Sequence, residues 1–399
     1  MKNIIRLRFF YLAGLLASLG LAGCAVNPVT GKNELSLLSE AQEINLGQNQ
    51  YQPSQQAQGG PYVSDPALSQ YVEDIGQQLA RVADRRLPYE FVIIDDSTPN
   101  AWALPGGKIA INRGLLTRLN SEAELAAVLS HEIIHAAARH SAKSVERNIL
   151  LSTVISAAGS AIETQNDRYA SVFENGAQLG AQFIVSSYGR EAELESDAFG
   201  MVYMQRAGFD PEAAVTLQET FVALSKGRSG SWLDGLLASH PPSQERVQRN
   251  QQTAARLKAG RTRDVIQGFD RYQSKLDRLS SLSPAYDLGD QAAAKLSAGE
   301  LDDAAALIRQ ALTLTQSEAY LFGLAGQIAL AREDATAGEQ FFAQAIAINN
   351  RHFRYYLGRG LARQNLGRTK GAISDLEQSQ TLLPTKIAED ALSALRLPR

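Results

Sequence analysis

From residue 285 onward the sequence returns to itself every 34 residues, and no other feature restricts the possible folds as strongly. The units begin at Ala285, Ala319 and Phe353. Small residues recur in register, with Ala292, Gly326 and Gly360 in the first half of each unit and Ala304, Gly338 and Ala372 in the second. Larger apolar residues follow four positions later at Ile308, Phe342 and Leu376. A period of this length marks a stack of supersecondary units, each burying its apolar face against the next. Small side chains at fixed points let paired helices approach closely. Ser283-Pro284 interrupts the preceding pattern, and Pro384 stands where the third unit should end.

A 34-residue helix pair with small residues at its crossing points resembles the tetratricopeptide repeat. Residues 283–399 are therefore expected to form an all-α repeat domain.

At 399 residues the chain is too long for one ordinary domain, and 39 basic against 42 acidic residues leave a net charge of −3. It contains no Lys/Arg block of five or more, which argues against nucleic acid as a partner. The N-terminus reads as a processed leader over 1–23, because Lys2, Arg6 and Arg8 precede the apolar stretch Phe9 to Leu21. That stretch is too short to span a bilayer comfortably. It ends in Leu21-Ala22-Gly23-Cys24, which resembles the bacterial lipoprotein cleavage box, so Cys24 is the expected lipidation site. Cys24 is also the sole cysteine, so no internal disulfide or thiolate metal site is available. Any transition-metal site must use histidines and carboxylates. Loss of the leader removes three basic residues and no acidic one, so membrane attachment is expected to rest on the acyl chains.

Ser39-Glu40 suggests a first helix near 39–49, and residues 50–64, rich in Gln, Gly, Pro and Ser, read as a loop. Asp65-Pro66 caps a packing helix with Leu68, Tyr71, Val72, Ile75, Leu79 and Val82 on one face. Strand signals follow at Tyr89 to Ile94, Ala101 to Leu104 and Lys108 to Ile111, with Pro105-Gly106-Gly107 turning between the last two. From Ser121 to about residue 208 the proline-free, Ala/Leu-rich composition predicts several long helices. The run Ile149 to Ile162 carries too many hydroxyl residues for a membrane span and reads as a buried helix. Gly227, Gly230, Gly235 and Pro241-Pro242 mark a mobile loop across 225–243, before helical sequence resumes to about 282.

The chemistry is concentrated in His131-Glu132-Ile133-Ile134-His135. Residues four apart lie on nearly one helix face, so the two imidazoles can aim at one point. Glu132, rotated about 100°, is set beside the open side of a bound ion as a general base. His140 falls about half a turn out of phase on the same helix and reads as an outer-shell or helix-end residue. With no third histidine well placed, the remaining ligand should be a carboxylate from another helix. The best segment is Arg190 to Asp197, where Glu193 can reach the ion and Asp197, one turn on, can accept the free ring N–H of a ligand histidine.

His-Glu-x-x-His with a downstream Glu-x-x-x-Asp resembles the gluzincin peptidases of the HtpX and BepA type. Further matches are Asn27-Pro28-Val29-Thr30-Gly31, Pro99-Asn100-Ala101 with Leu104-Pro105-Gly106-Gly107, Arg139-His140, and His240-Pro241-Pro242 with Arg246. The repeats behind them resemble the BepA arrangement in particular. The resemblance implies one Zn2+ per chain held by His131, His135 and Glu193, with Glu132 as base. It implies an edge strand around Lys108 to Ile111 that holds extended substrate by its backbone. His240 corresponds to a loop histidine that can fill the fourth coordination position and keep the enzyme latent, with a surface loop residue as the rival reading. Arg246 could stabilise the oxyanion or form a structural salt bridge. Two departures stand out: the BepA type uses cysteines to tie its repeats to the protease and is soluble, whereas this chain has none after Cys24 and carries a lipid box. Docking of the two domains is thus expected to rest on packing alone.

The expected fold class is α+β and mainly helical. A lipoprotein signal peptide (1–23) and an N-terminal segment and linker (24–64) precede a zincin-type metalloprotease domain with a small sheet (65–282) and the repeat domain (283–399). The expected function is a zinc endopeptidase facing the periplasm, anchored to the outer membrane through Cys24, since Ala25 rather than aspartate follows that cysteine. The resemblance implies protein clients, namely misassembled outer-membrane β-barrel proteins or their assembly machinery. The alternatives are a chaperone or assembly scaffold with a structural zinc, and a pure binding module. Glu132 argues against the first, because a structural ion needs no base, and neither accounts for residues 121–200.

Overall fold

The computed structural model describes residues 24–147, 188–226, 238–260 and 264–396. The leader, the stretch Ile149 to Ile162 and the glycines of the 227–237 loop lie outside the described residues.

The chain enters as a two-stranded ribbon, β1 (Cys24–Val26) antiparallel to β2 (Asn33–Leu35). Helix α1 (Glu40–Gln58) begins in a capping box between Ser39 and Gln42. It does not stop at residue 49. The stretch read as a loop continues as helix because Gln50, Tyr51, Ser54 and Gln56 are buried there, a tertiary gain that outweighs Pro53 in the helix interior. Helix α2 (Pro66–Ala80) follows, with Asp65 accepting from Leu68 N.

The sheet has the order β3 (Glu90–Ile94), β5 (Lys108–Asn112), β4 (Ala101–Leu104), with β3 parallel and β4 antiparallel to β5. The Lys108 to Ile111 strand is therefore central, and the expectation that it forms an edge is corrected. Pairing on both sides occupies its backbone, and the edges of the sheet are β3, bridged at Ile94 by Pro61, and β4. Pro105-Gly106-Gly107 makes the connection, with Gly106 at φ 76° and Gly107 at φ 87°, where a side chain would be strained. Side chains alternate across the sheet. Phe91, Ile93, Ala101, Ala103, Ile109 and Ile111 join the main core with α2 and the metal-motif helix. Ile94, Trp102, Leu104 and Ala110 face Tyr51 on α1.

A short helix α3 (Arg113–Leu116) leads to α4 (Glu122–Ala137), capped by Ser121 and buried along its whole length. Then come α5 (Arg190–Ala207), α6 (Glu212–Lys226), α7 (Gln244–Ala259) and α8 (Phe269–Ser281). Among the described residues no helix is long and apolar enough to cross a membrane.

Three helix pairs complete the chain: α9 (Ser283–Ser297) with α10 (Leu301–Leu314), α11 (Ala319–Ala331) with α12 (Ala335–Ile348), and α13 (Phe353–Asn365) with α14 (Thr369–Leu382), closed by α15 (Lys386–Arg396). A Cβ on Gly326 would stand 2.8 Å from the Phe342 ring, and one on Gly360 would stand 2.9 Å from Leu376, so the small residues do sit at the crossings. The fold is α+β and mainly helical, ending in tetratricopeptide-like helix pairs.

The repeats dock through more than apolar packing. The Arg113 guanidinium, paired with Asp95 at 2.6 Å, lies 3.5 Å over the Tyr286 ring. Ser97 donates to Asp290 at 3.0 Å. Gln56 donates to Arg351 O at 2.6 Å and accepts from Phe353 N at 2.8 Å. Charged and amide contacts thus join apolar packing in holding the repeats.

Candidate metal centre

Helix α4 presents His131, Glu132 and His135 in one turn, all of them buried. Helix α5 crosses it closely enough that a Cβ on Gly200 would lie 3.1 Å from Ser130 Oγ and 3.3 Å from His131 N. That approach turns Glu193 and Asp197 onto the histidines. Glu193 Oε2 is 3.5 Å from His131 Nε2 and its Oε1 is 3.3 Å from His135 Nε2. The two histidine Nε2 atoms are 2.9 Å apart. His240 completes the group, with Nδ1 3.3 Å from His131 Nε2 and 3.1 Å from Glu193 Oε1.

One donor atom from each of these four residues lies within 4.8 Å of every other. Ligand atoms on a tetrahedron of zinc–nitrogen length stand roughly 3.3 Å apart, and the separations here straddle that value. Imidazole nitrogens and one carboxylate are donors that suit zinc chemically, so the residues fit a bound divalent ion.

The surroundings orient these groups. Asp197 Oδ1 lies 2.9 Å from His131 Nδ1, and Arg246 grips Asp197 with two bonds of 2.7 Å. Arg246 Nη1 also reaches Glu193 Oε2 at 2.8 Å and donates to Pro241 O at 3.2 Å. Its donors are thus engaged in an ion-pair network that ties the His240 loop to α5.

His140 is not on the helix of His131. Helix α4 ends at Ala137, and Arg139 adopts φ 64°, so the chain turns before helix resumes at residue 140. The turn carries His140 Nδ1 to 3.1 Å from His135 Nδ1, while its Nε2 meets Glu195 Oε2 at 3.3 Å. Arg139 holds this turn through Glu43, Ser36 and the carbonyl of Leu38 at 2.8 Å. Asn27 donates to the carbonyl of Ala138 at 3.0 Å.

Charge is distributed unevenly. Burial disfavours the imidazolium of His131, but the Glu193 charge and the bonds to Asp197 and Glu193 prevail and raise its pKa to about 10. Burial pushes His135 well below its usual range. Glu193 is driven well below the carboxylate range, because His240 and His131 overcome its burial. Asp197, also buried, is brought down to about 2 by Arg246 and His131. Burial raises Glu132. Its Oε1 is 3.4 Å from His240 Nε2 without hydrogen-bond alignment, and its Oε2 has no partner among the described residues.

Sequence reasoning passed over Tyr188. Its ring stacks on His135 at 3.7 Å between centroids and 22° between planes. Its hydroxyl meets Ser141 Oγ at 2.8 Å and donates to Ala103 O, on the edge strand β4, at 3.2 Å. Its position two residues before Arg190 was the only available signal.

Residues 66–254 match the model of peptidase family M48. The chain is 31% identical over 244 residues to the beta-barrel assembly-enhancing protease of Escherichia coli O157:H7, covering 60% of this chain and 48% of that one. It is 30% identical over 224 residues to the mitochondrial metalloendopeptidase OMA1 of Schizosaccharomyces pombe, covering 56% and 64% respectively. The chain spans about half the length of the first of these relatives. Its repeats are similar to the TPR domain of Arabidopsis OM64, at 24% identity and a TM-score of 0.29, over 29% of this chain and 97% of that domain.

Proposed function

We propose that this chain is a zinc-dependent endopeptidase with one ion held by His131, His135 and Glu193. The observation that carries the reading is a buried carboxylate, Glu132, whose Oε2 has no partner among the described residues while four donors converge beside it. An unpaired carboxylate in such a place serves a passing proton better than it serves stability. Zinc held there would polarise the scissile carbonyl and acidify water. Glu132 takes the proton of the attacking water and hands it to the leaving amine. Asp197 keeps His131 Nδ1 protonated so that Nε2 is free as a ligand. His240 in the fourth donor position would compete with substrate for the ion, so we read this arrangement as a latent one that displacement of His240 would open.

The setting is proposed from the name of the Escherichia coli relative and the lipoprotein-like leader. The enzyme would work in the periplasm on the outer membrane, anchored through lipidated Cys24, and cut misassembled β-barrel proteins selected by its repeats. The test is digestion of casein by the zinc-loaded chain against Glu132→Gln. Cleavage should fall by about 10²–10⁴-fold with zinc content unchanged, and equal cleavage by both proteins would remove the assignment.

A further inference from the structure

Helices α4 and α6 enclose a cavity of about 50 Å³ that opens onto the metal centre. Its walls are mostly apolar, formed by Leu115, Val128, Leu217 and Phe221, with Glu132 at one side and Gln218 at another. Taking roughly 10–15 Å³ for one water-sized probe, this is room for a side chain of about four heavy atoms. A fully aromatic or long charged side chain does not fit.

Gln218 is the exceptional wall residue. It is 4% exposed, and its Nε2 has no hydrogen-bond partner among the described residues. Buried amide donors are seldom left unpaired, and nothing on the Leu, Val and Phe walls can accept from this one. The occupant of the cavity should bring the acceptor.

The position of the cavity says what that occupant is. Ala101, on the edge strand β4, lines the cavity together with His131 and His240. If Glu132 returns the proton to the leaving amine, the residue contributing that amine lies beside Glu132, and its side chain enters here. We infer that this cavity receives the side chain on the amine side of the scissile bond and that Gln218 selects a compact residue bearing an oxygen acceptor, asparagine or threonine, over leucine of similar size. The inference rests on the peptidase reading above and adds its cleavage preference. A pocket built to hydrogen-bond its guest discriminates against an isostere that leaves the bond unmade.

The test uses the zinc-loaded full chain and peptides that differ only in the residue after one defined scissile bond: Asn, Thr, Leu, Phe or Lys. Asn and Thr should exceed Leu by about tenfold in kcat/KM, the size of one hydrogen bond, with Phe and Lys poorest. Gln218→Met, close in volume, should reverse the order to Leu over Asn. Equal rates for Asn and Leu in the parent overturn the inference, as does an unchanged ranking in Gln218→Met. Failure to cut any peptide or casein would bring down the peptidase reading as well, whereas cleavage without discrimination removes only the role of Gln218.

Discussion

Gln56, in the last turn of α1, holds its Oε1 3.2 Å from Nδ1 of His352, so the first long helix and the third repeat meet at an amide–imidazole contact. His352 is 3% exposed, and burial together with the nearby Arg354 charge pushes its pKa down to about 3. In the unfolded chain the same ring titrates near 6.5, so between these values the unfolded state binds a proton that the folded state refuses. The resulting stability is complete above about pH 6.5 and is lost as pH falls toward 3. Acidification from pH 6.5 to 5 should cost about 2 kcal/mol at this site. Thermal unfolding of the zinc-loaded chain across that interval checks this, and His352→Gln should flatten the slope.

The latency assigned to His240 has a direct kinetic consequence. His240→Ala should digest casein severalfold faster than the parent at equal zinc occupancy. An unchanged or lower rate would refute the gate.

Metal retention separates the inner from the outer groups. Glu193→Ala should lose stoichiometric zinc, as read by elemental analysis after dialysis. Asp197→Asn, which no longer presents a carboxylate to His131, should weaken zinc binding by about 10–100-fold without abolishing it. Full zinc retention in Glu193→Ala would exclude that residue as a ligand.

Arg246 neutralises two buried carboxylates, Asp197 and Glu193. Its replacement by Met leaves both without their guanidinium and should cost about 3–5 kcal/mol in urea unfolding. Arg246→Lys keeps the charge but loses the two-pronged grip, and should fall between Met and the parent.

Gly358 on α13 has the Phe342 ring so near that an added Cβ would stand 2.2 Å from it. Gly358→Ala gains about 1 kcal/mol in helix propensity, but the overpacking should outweigh that gain and leave the repeats destabilised by about 1–2 kcal/mol. An increase in the urea midpoint would show that the ring can move aside.

Local periodicity and turn chemistry determined much of this molecule. The 34-residue interval implied paired helices with Gly326 and Gly360 at their crossings, Asp65 and Ser121 marked helix starts, and the spacing of His131 and His135 put both rings on one turn. These are properties of a few consecutive residues, set by helix geometry and capping. What faces what was decided only in three dimensions. Residues 50–58 look like loop by composition, yet burial against the sheet and the repeats makes them helix. Strand order placed Lys108 to Ile111 in the middle of the sheet, a pairing choice that no single strand encodes. The turn at Arg139 brought His140 back to His135, and the close crossing at Gly200 brought Glu193 to both ligand histidines. Packing energy is shared among residues far apart in the chain, so it leaves no local pattern to read.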